Sequence, residues 1–465
     1  MSDDTETLTA SPFEIAPALK EGEDTGSVRM GPFERLYESL FAEALESGQI
    51  SQEERERLNL AAKALGLDAK RVAALEEALV DAWEAGAAET LVDPQPGTLA
   101  DRSPPSTTIA PAAPAEPLSF DEEPPTLSRP SGPTKKSDRP PAEVPFSELH
   151  ARFDASVHSH AIDDGFRIAE VLVLRGAATR QERAFWEKHH VEGPVRPRRP
   201  LSHDGWVHLL KHPDEERTTG EIFAVIASAA LVGRVSAMRR DGNMPRLDLE
   251  AYQNPLTSTV SAVRALSWAA ATLGIRPPPA YVAPDLDVGY EIVTVVPPSS
   301  RIGSRVLSGL TAAQLAFACG RHMAWFREEH FICTLVPNVA YLESIFYAAL
   351  LLGAPTLQLP PDVRERAHVF SQAIVPCLEP KQIERLNRLV ARFLARGGRT
   401  NLKKWARAAE WTACRTGLLL CGELQVAVDA LANEPGGEMR ITELETFWAS
   451  PEAGELRKRL GAAIG

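Results

Sequence analysis

Apolar residues recur every three or four positions through most of this chain, the spacing of helices with one buried face. Leu36, Leu40, Phe41, Ala44 and Leu45 share such a face. Ser47-Gly48 breaks that helix, Ser51 with Glu54 forms a capping box for a second, Gly66 stops it, and Asp68 caps a third running to about Glu84. Helical pairs return at FSELHARFDAS, DGFRIAEVLVLRG and TRQERAFWEKHH, the last capped by Thr179 and Glu182. Asp204–Lys211 and Glu221–Val232 extend the helical pattern. Strand patterns occur in one place: AYVA at 280–283, EIVTVV at 291–296 and SRIGSRVL at 300–307, separated by Pro, Gly and Asp turns. From about residue 311 the pattern is helical to the end. The expected fold is α+β and predominantly α-helical, with a small sheet packed on a helical domain and a separate amino-terminal helical bundle.

Composition divides the chain further. Residues 1–30 are acidic and poor in apolar groups, the makeup of a disordered tail, and 31–92 are the small bundle. Residues 93–145 hold 14 of the 37 prolines, mixed with Ser, Thr and Ala, and predict a flexible to semi-extended linker. Residues 146–250 and 251–465 are expected as a helical region followed by the sheet-bearing domain. The net charge of −13 argues against a nucleic-acid-binding surface and against adsorption to anionic membranes. The five cysteines, Cys319, Cys333, Cys377, Cys414 and Cys421, form no CxxC pair and read as reduced, mostly buried thiols. The acidic start is not that of a signal peptide, and no apolar run reaches the ~18 residues of a membrane span, so a cytoplasmic location is expected.

Two stretches carry a resemblance. LTAAQLAFACGRHMAWFREEHFICTL looks like the active-site helix of HtpX-type zinc metallopeptidases, in which an apolar lead-in ends in Gly before HExxH. AAEWTACRTGLLLCGELQVA is similar to that family's second motif, with Glu410 at the third zinc ligand and Ala413, Arg415 and Gly417 on pattern. The resemblance spans roughly residues 255–430. Residues 31–92 resemble TerB-like helical modules through ESGQISQEERERL, and the helices after Phe146 resemble the packing unit of tetratricopeptide repeats without their fixed period.

The departures from the peptidase pattern decide its implication. Arg321 stands at the first His, His322 at the general-base Glu and Trp325 at the second His, giving Arg321-His322-Met323-Ala324-Trp325 in place of HExxH; Cys414 replaces the downstream Asp. A guanidinium does not ligate zinc, and an indole N–H only donates. Of the three ligands and the base, Glu410 alone remains, so neither metal, cofactor nor catalysis by the family's mechanism is expected. A buried salt bridge from Arg321 to Glu410 is the natural replacement, with Trp325 filling the vacated space.

Other constellations are bland. His208 and His212 stand at i and i+4 but lack a Glu between them and precede Pro213, and read as partly exposed surface histidines. Glu328 and Glu329 read as a solvated face. Arg385, Arg388, Arg392 and Arg396 stripe one face of a helix whose other face holds Leu386, Leu389, Val390, Phe393 and Leu394. That stripe is a solvated face, a patch for an acidic partner, or the docking site of the acidic tail bearing Asp3, Asp4, Glu6, Glu14, Glu21, Glu23 and Asp24. Two functions stand: a non-catalytic protein-interaction scaffold, with Ser300–Leu307 as the edge strand for an extended partner, or a hydrolase with a rearranged zinc site using Glu410.

Overall fold

The computed structural model describes residues 144–464, together with Pro12, Phe13 and eight positions between Phe41 and Val72. The chain is α+β and predominantly helical. Helices α1 (Phe146–His158), α2 (Ile162–Leu174) and α3 (Arg180–His189) come first. A turn at His203–Gly205 runs into a π-helical turn, Trp206–Leu210, before the long α4 (Arg217–Arg240). Strand β1 (Tyr252–Gln253), α5 (Ser261–Thr272) and strands β2 (Ala280–Ala283), β3 (Tyr290–Val293) and β4 (Ser299–Gly303) follow. The remainder is helical: α6 (Ala312–Ala324), α7 (Val339–Gly353), α8 (Pro361–Ile374), α9 (Pro380–Ala395), α10 (Leu402–Cys421), α11 (Leu424–Leu431), α12 (Gly437–Trp448) and α13 (Pro451–Leu460).

Local chemistry sets several of these limits. Thr179 and Glu182 cap α3 reciprocally, and Thr311 and Gln314 do the same for α6. Gly422, at φ 75°, ends α10 in the left-handed region that a side chain would strain. In α9, Leu386, Leu389, Val390 and Phe393 are buried while Arg385, Arg388, Arg392 and Arg396 are exposed. The arginine stripe is therefore exposed, and Arg392 pairs with Glu221 of α4. By length and a mean hydropathy of 1.6 over its most apolar window, α4 meets the criterion for a membrane span; 67% of that window is buried, as in the core helix of a globular unit.

The sheet order is β1-β2-β4-β3, with β2 and β4 parallel and both outer pairs antiparallel. This corrects the edge-strand expectation. Ser299–Gly303 lies between two partners, and Ser304–Leu307 is a helical turn, so Ser300–Leu307 offers no open edge. The outer strands are β1 and β3. Parallel pairing of β2 with β4, and not the turn between neighbouring strands, puts β4 inside.

Residues 120–465 and 1–29 fall in one compact unit and Met30–Ser119 in another. In the second unit Phe41, Leu58 and Ala62 are helical and buried, and the Arg55 guanidinium lies 5.9 Å from the Phe41 ring centroid. The rest of the expected bundle, the linker and the acidic residues of the tail lie outside the described residues.

The first three helices join the carboxy-terminal ones through α2, whose Asp163, Arg167 and Glu170 are buried. Arg167 donates to the Ser450 carbonyl at 2.9 Å, and Arg457 donates to Asp163 at 3.0 Å. Glu170 accepts from the Leu424 N–H at 3.0 Å and the Trp448 indole at 2.6 Å. Burial outweighs both bonds and pushes the Glu170 carboxyl from 4.5 up to about 7. A carboxyl raised on folding gives stability that is full below its unfolded pKa and lost as pH climbs through the folded one. Glu170→Gln should therefore remove a loss of about 3 kcal/mol between pH 4.5 and 7.5. Urea midpoints of variant and wild type at the two pH values check this; parallel pH profiles would refute it.

Candidate functional site

The two stretches that carry the peptidase resemblance become α6 and α10, which pack against each other. Their crossing is made by glycine. A Cβ on Gly320 would lie 2.9 Å from the Gly417 Cα and from the Thr416 carbonyl oxygen. One on Gly417 would lie 2.8 Å from the Phe317 carbonyl oxygen. Both are closer than real Cβ contacts allow, so the helices approach to backbone contact only because these positions lack side chains.

That approach brings Arg321, next to Gly320, toward Glu410 on α10. The Arg321 Nη2 lies 3.6 Å from Glu410 Oε1. Glu410 has a closer partner in Arg440 of α12, which also donates to the Pro435 carbonyl. Arg321 in turn grips Glu434 through two hydrogen bonds of 2.6 and 2.9 Å, and Arg440 reaches the same carboxylate at 3.2 Å. Two arginines and two glutamates thus close a ring around Glu410. Glu434 and Arg440 were missed in the sequence, where the NEPGGEMR turn gives no sign of a partner more than twenty residues upstream.

The other positions of the motifs are also accounted for by packing. Cys414 is fully buried, and its thiol is pushed up to about 12 by burial. Arg415 is buried over the Phe447 ring, donates from Nε to Glu443 at 2.7 Å and holds the Leu210 and Lys211 carbonyls. The half-buried Trp325 packs edge-on to His330, with ring centroids 6.1 Å apart.

His322 Nε2 lies 2.8 Å from the Ser300 Oγ on β4, the separation of a nucleophile and its base. Two features remove that chemistry. Ser300 is fully buried, and burial drops His322 to about 3, so the imidazole is a poor proton acceptor near neutrality. The ring stacks on Tyr290, whose hydroxyl donates to the Ala262 carbonyl, and the pair ties the sheet to α6.

Two expectations need correction. His212 is mostly covered, its side chain 13% exposed: it packs on Trp411 at 4.7 Å, accepts from the Asp214 N–H, and is lowered to about 4 by burial and by Arg415. His208 is exposed and sits in the π-helical turn, so the two do not form an α-helical pair. Glu329 is buried, not solvated, and accepts from the Trp206 indole at 2.9 Å. Although burial opposes it, nearby Arg327, Lys211 and His330 hold the Glu329 carboxyl at about 2.

Glu329 belongs to a second buried network that sequence reasoning did not find. His330 Nε2 meets Glu215 Oε2 at 2.8 Å, and its Nδ1 meets the Ala324 carbonyl at 3.2 Å. Glu215 also accepts from the Thr412 hydroxyl of α10 and lies 3.1 Å from the Lys211 ammonium. Among the described residues, no group of three or more His, Cys, Asp or Glu side chains is arranged to hold a metal ion. No family model, curated protein or solved structure matches the chain.

Proposed function

We propose that the carboxy-terminal unit is a non-catalytic protein-interaction module of the bacterial cytoplasm, a degenerate HtpX-like metallopeptidase domain whose zinc position is held by an ion-pair ring. One observation carries this reading: Glu410, the last of the expected zinc ligands, is engaged by the guanidinium groups of Arg440 and Arg321. The ring supplies the positive charge that a metal would bring to that carboxylate, and it joins α6, α10, α12 and the turn before α12. A hydrolase with a rearranged zinc site would need imidazoles around Glu410, where the neighbours are arginines. In this reading the surface for an extended partner is the outer edge of β3, in place of the interior β4. The TerB-like bundle on its Pro-rich tether would recruit a second protein, with TPR-like helices α1–α3 bracing the carboxy-terminal ones.

Metal content of protein purified and dialysed without chelator tests the reading. Zinc should lie well below one equivalent per chain, and Glu410→Ala should leave it unchanged while costing about 1–2 kcal/mol in stability, since the ring is partly exposed. Near-stoichiometric zinc that disappears in Glu410→Ala would overturn it.

A further inference from the structure

Phe13 lies in the stretch SPFEIAP, within the acidic amino-terminal segment and far in sequence from any core element. It is nevertheless 5% exposed. Its ring packs edge-on against Trp268 of α5, with centroids 5.4 Å apart and planes at 61°. Trp268 is itself 1% exposed, and α5 packs on α6, the helix that carries Arg321. Residues 1–29 accordingly belong to the same compact unit as the carboxy-terminal part, while Met30–Ser119, the separate unit, lies between them in sequence.

We propose that the Trp268 seat is a peptide-docking site whose ligand is the chain's own Phe13 segment. The helical unit is then connected at both ends to the carboxy-terminal unit, through Phe13 on one side and the Pro-rich linker on the other. The recognition is apolar: one aromatic ring inserted against another, the anchor chemistry that concentrates binding in few residues. Closing so long a loop is no obstacle, because its entropic cost grows only with the logarithm of length and the tethered segment is present at high effective concentration. This seat replaces the expected electrostatic docking of the tail on the α9 arginines and predicts insensitivity to salt, since the contact between the Phe13 and Trp268 rings is apolar.

The test uses full-length protein and a fluorescein-labelled peptide of residues 8–19. Full-length Phe13→Ala, its seat vacated, should bind the peptide about tenfold more tightly than wild type does. The same peptide carrying Phe13→Ala should bind about tenfold more weakly. The variant should also have a larger hydrodynamic radius than wild type at both low and high salt, and Phe13→Leu, which keeps an apolar anchor, should fall between them. Circular dichroism matching the wild type establishes that the variants fold. Equal peptide affinity and equal radius for wild type and Phe13→Ala would overturn the proposal. So would concentration-dependent dimerisation abolished by Phe13→Ala, which assigns the seat to a second copy.

Discussion

Replacing Gly417 by valine should destabilise the carboxy-terminal unit by about 3 kcal/mol or more, at the upper end of what overpacking costs. Alanine alone would place its Cβ 2.8 Å from the Phe317 carbonyl oxygen and the Phe317 ring, and valine adds two methyl groups. The obstacle is the Phe317 backbone carbonyl together with the buried Phe317 ring, and neither swings aside as an exposed flexible side chain does. Better helix propensity offsets the clash for alanine by about 1 kcal/mol, so valine gives the cleaner reading. Gly320→Val should behave alike, because its Cβ faces Gly417 and Thr416 at 2.9 Å. Gly289→Ala is the control: its added Cβ meets only a Val306 methyl at 3.6 Å, an ordinary contact, and the change should stay within about 0.5 kcal/mol. Chemical denaturation compares the three. A Gly417→Val midpoint close to the control's would mean that the helices are not held at backbone contact, and with that the placement of Arg321 beside Glu410 would lose its basis.

What the sequence disclosed is largely what its local chemistry determines. The Thr179/Glu182 box, the β2 limits at 280–283 and the buried face of α9 all depend on residues within a few positions of one another. The pairing of motifs placed Arg321 opposite Glu410, and the two lie 3.6 Å apart. What escaped the sequence is set by partners far along the chain. Glu329 resembles a surface residue until Trp206, 123 positions away, donates to it. His212 looks exposed until Trp411 covers it. The place of β4 in the sheet follows from parallel pairing with β2 across an intervening strand, and nothing in SRIGSRVL distinguishes an inner from an outer strand. Charge and polarity predict solvent locally, and only tertiary pairing turns them inward.

The second large effect is expected at Glu215. Its side chain and that of His330 are fully buried, and Lys211 Nζ lies 3.1 Å from the same carboxylate. Both nitrogens of His330 lie within hydrogen-bond distance of an oxygen, Glu215 Oε2 at 2.8 Å and the Ala324 carbonyl at 3.2 Å. Removing the carboxylate would take the shared partner from the Lys211 ammonium and the buried His330 ring, a loss of about 3–5 kcal/mol. Glu215→Gln should cost nearly as much as Glu215→Ala. Its amide oxygen can keep the Thr412 hydroxyl, but the amide nitrogen would then point at His330 and Lys211, donor against donor. The pH dependence supplies an independent readout. Burial opposes ionisation of Glu215, and His330 and Lys211 overcome it, holding the carboxyl far below its ordinary 4.5. A carboxyl lowered on folding contributes stability that is full above its unfolded pKa and lost as pH falls toward the folded one. Wild type should therefore weaken steeply below about pH 4.5, with Glu329 adding to the slope, and Glu215→Gln should show a shallower acid limb. A Glu215→Gln variant within about 1 kcal/mol of wild type, with an unchanged acid limb, would show that the network contributes little. Loss of both stability and acid slope would make α10, which carries Thr412 on one network and Glu410 on the other, the element through which the unit's two charged clusters act.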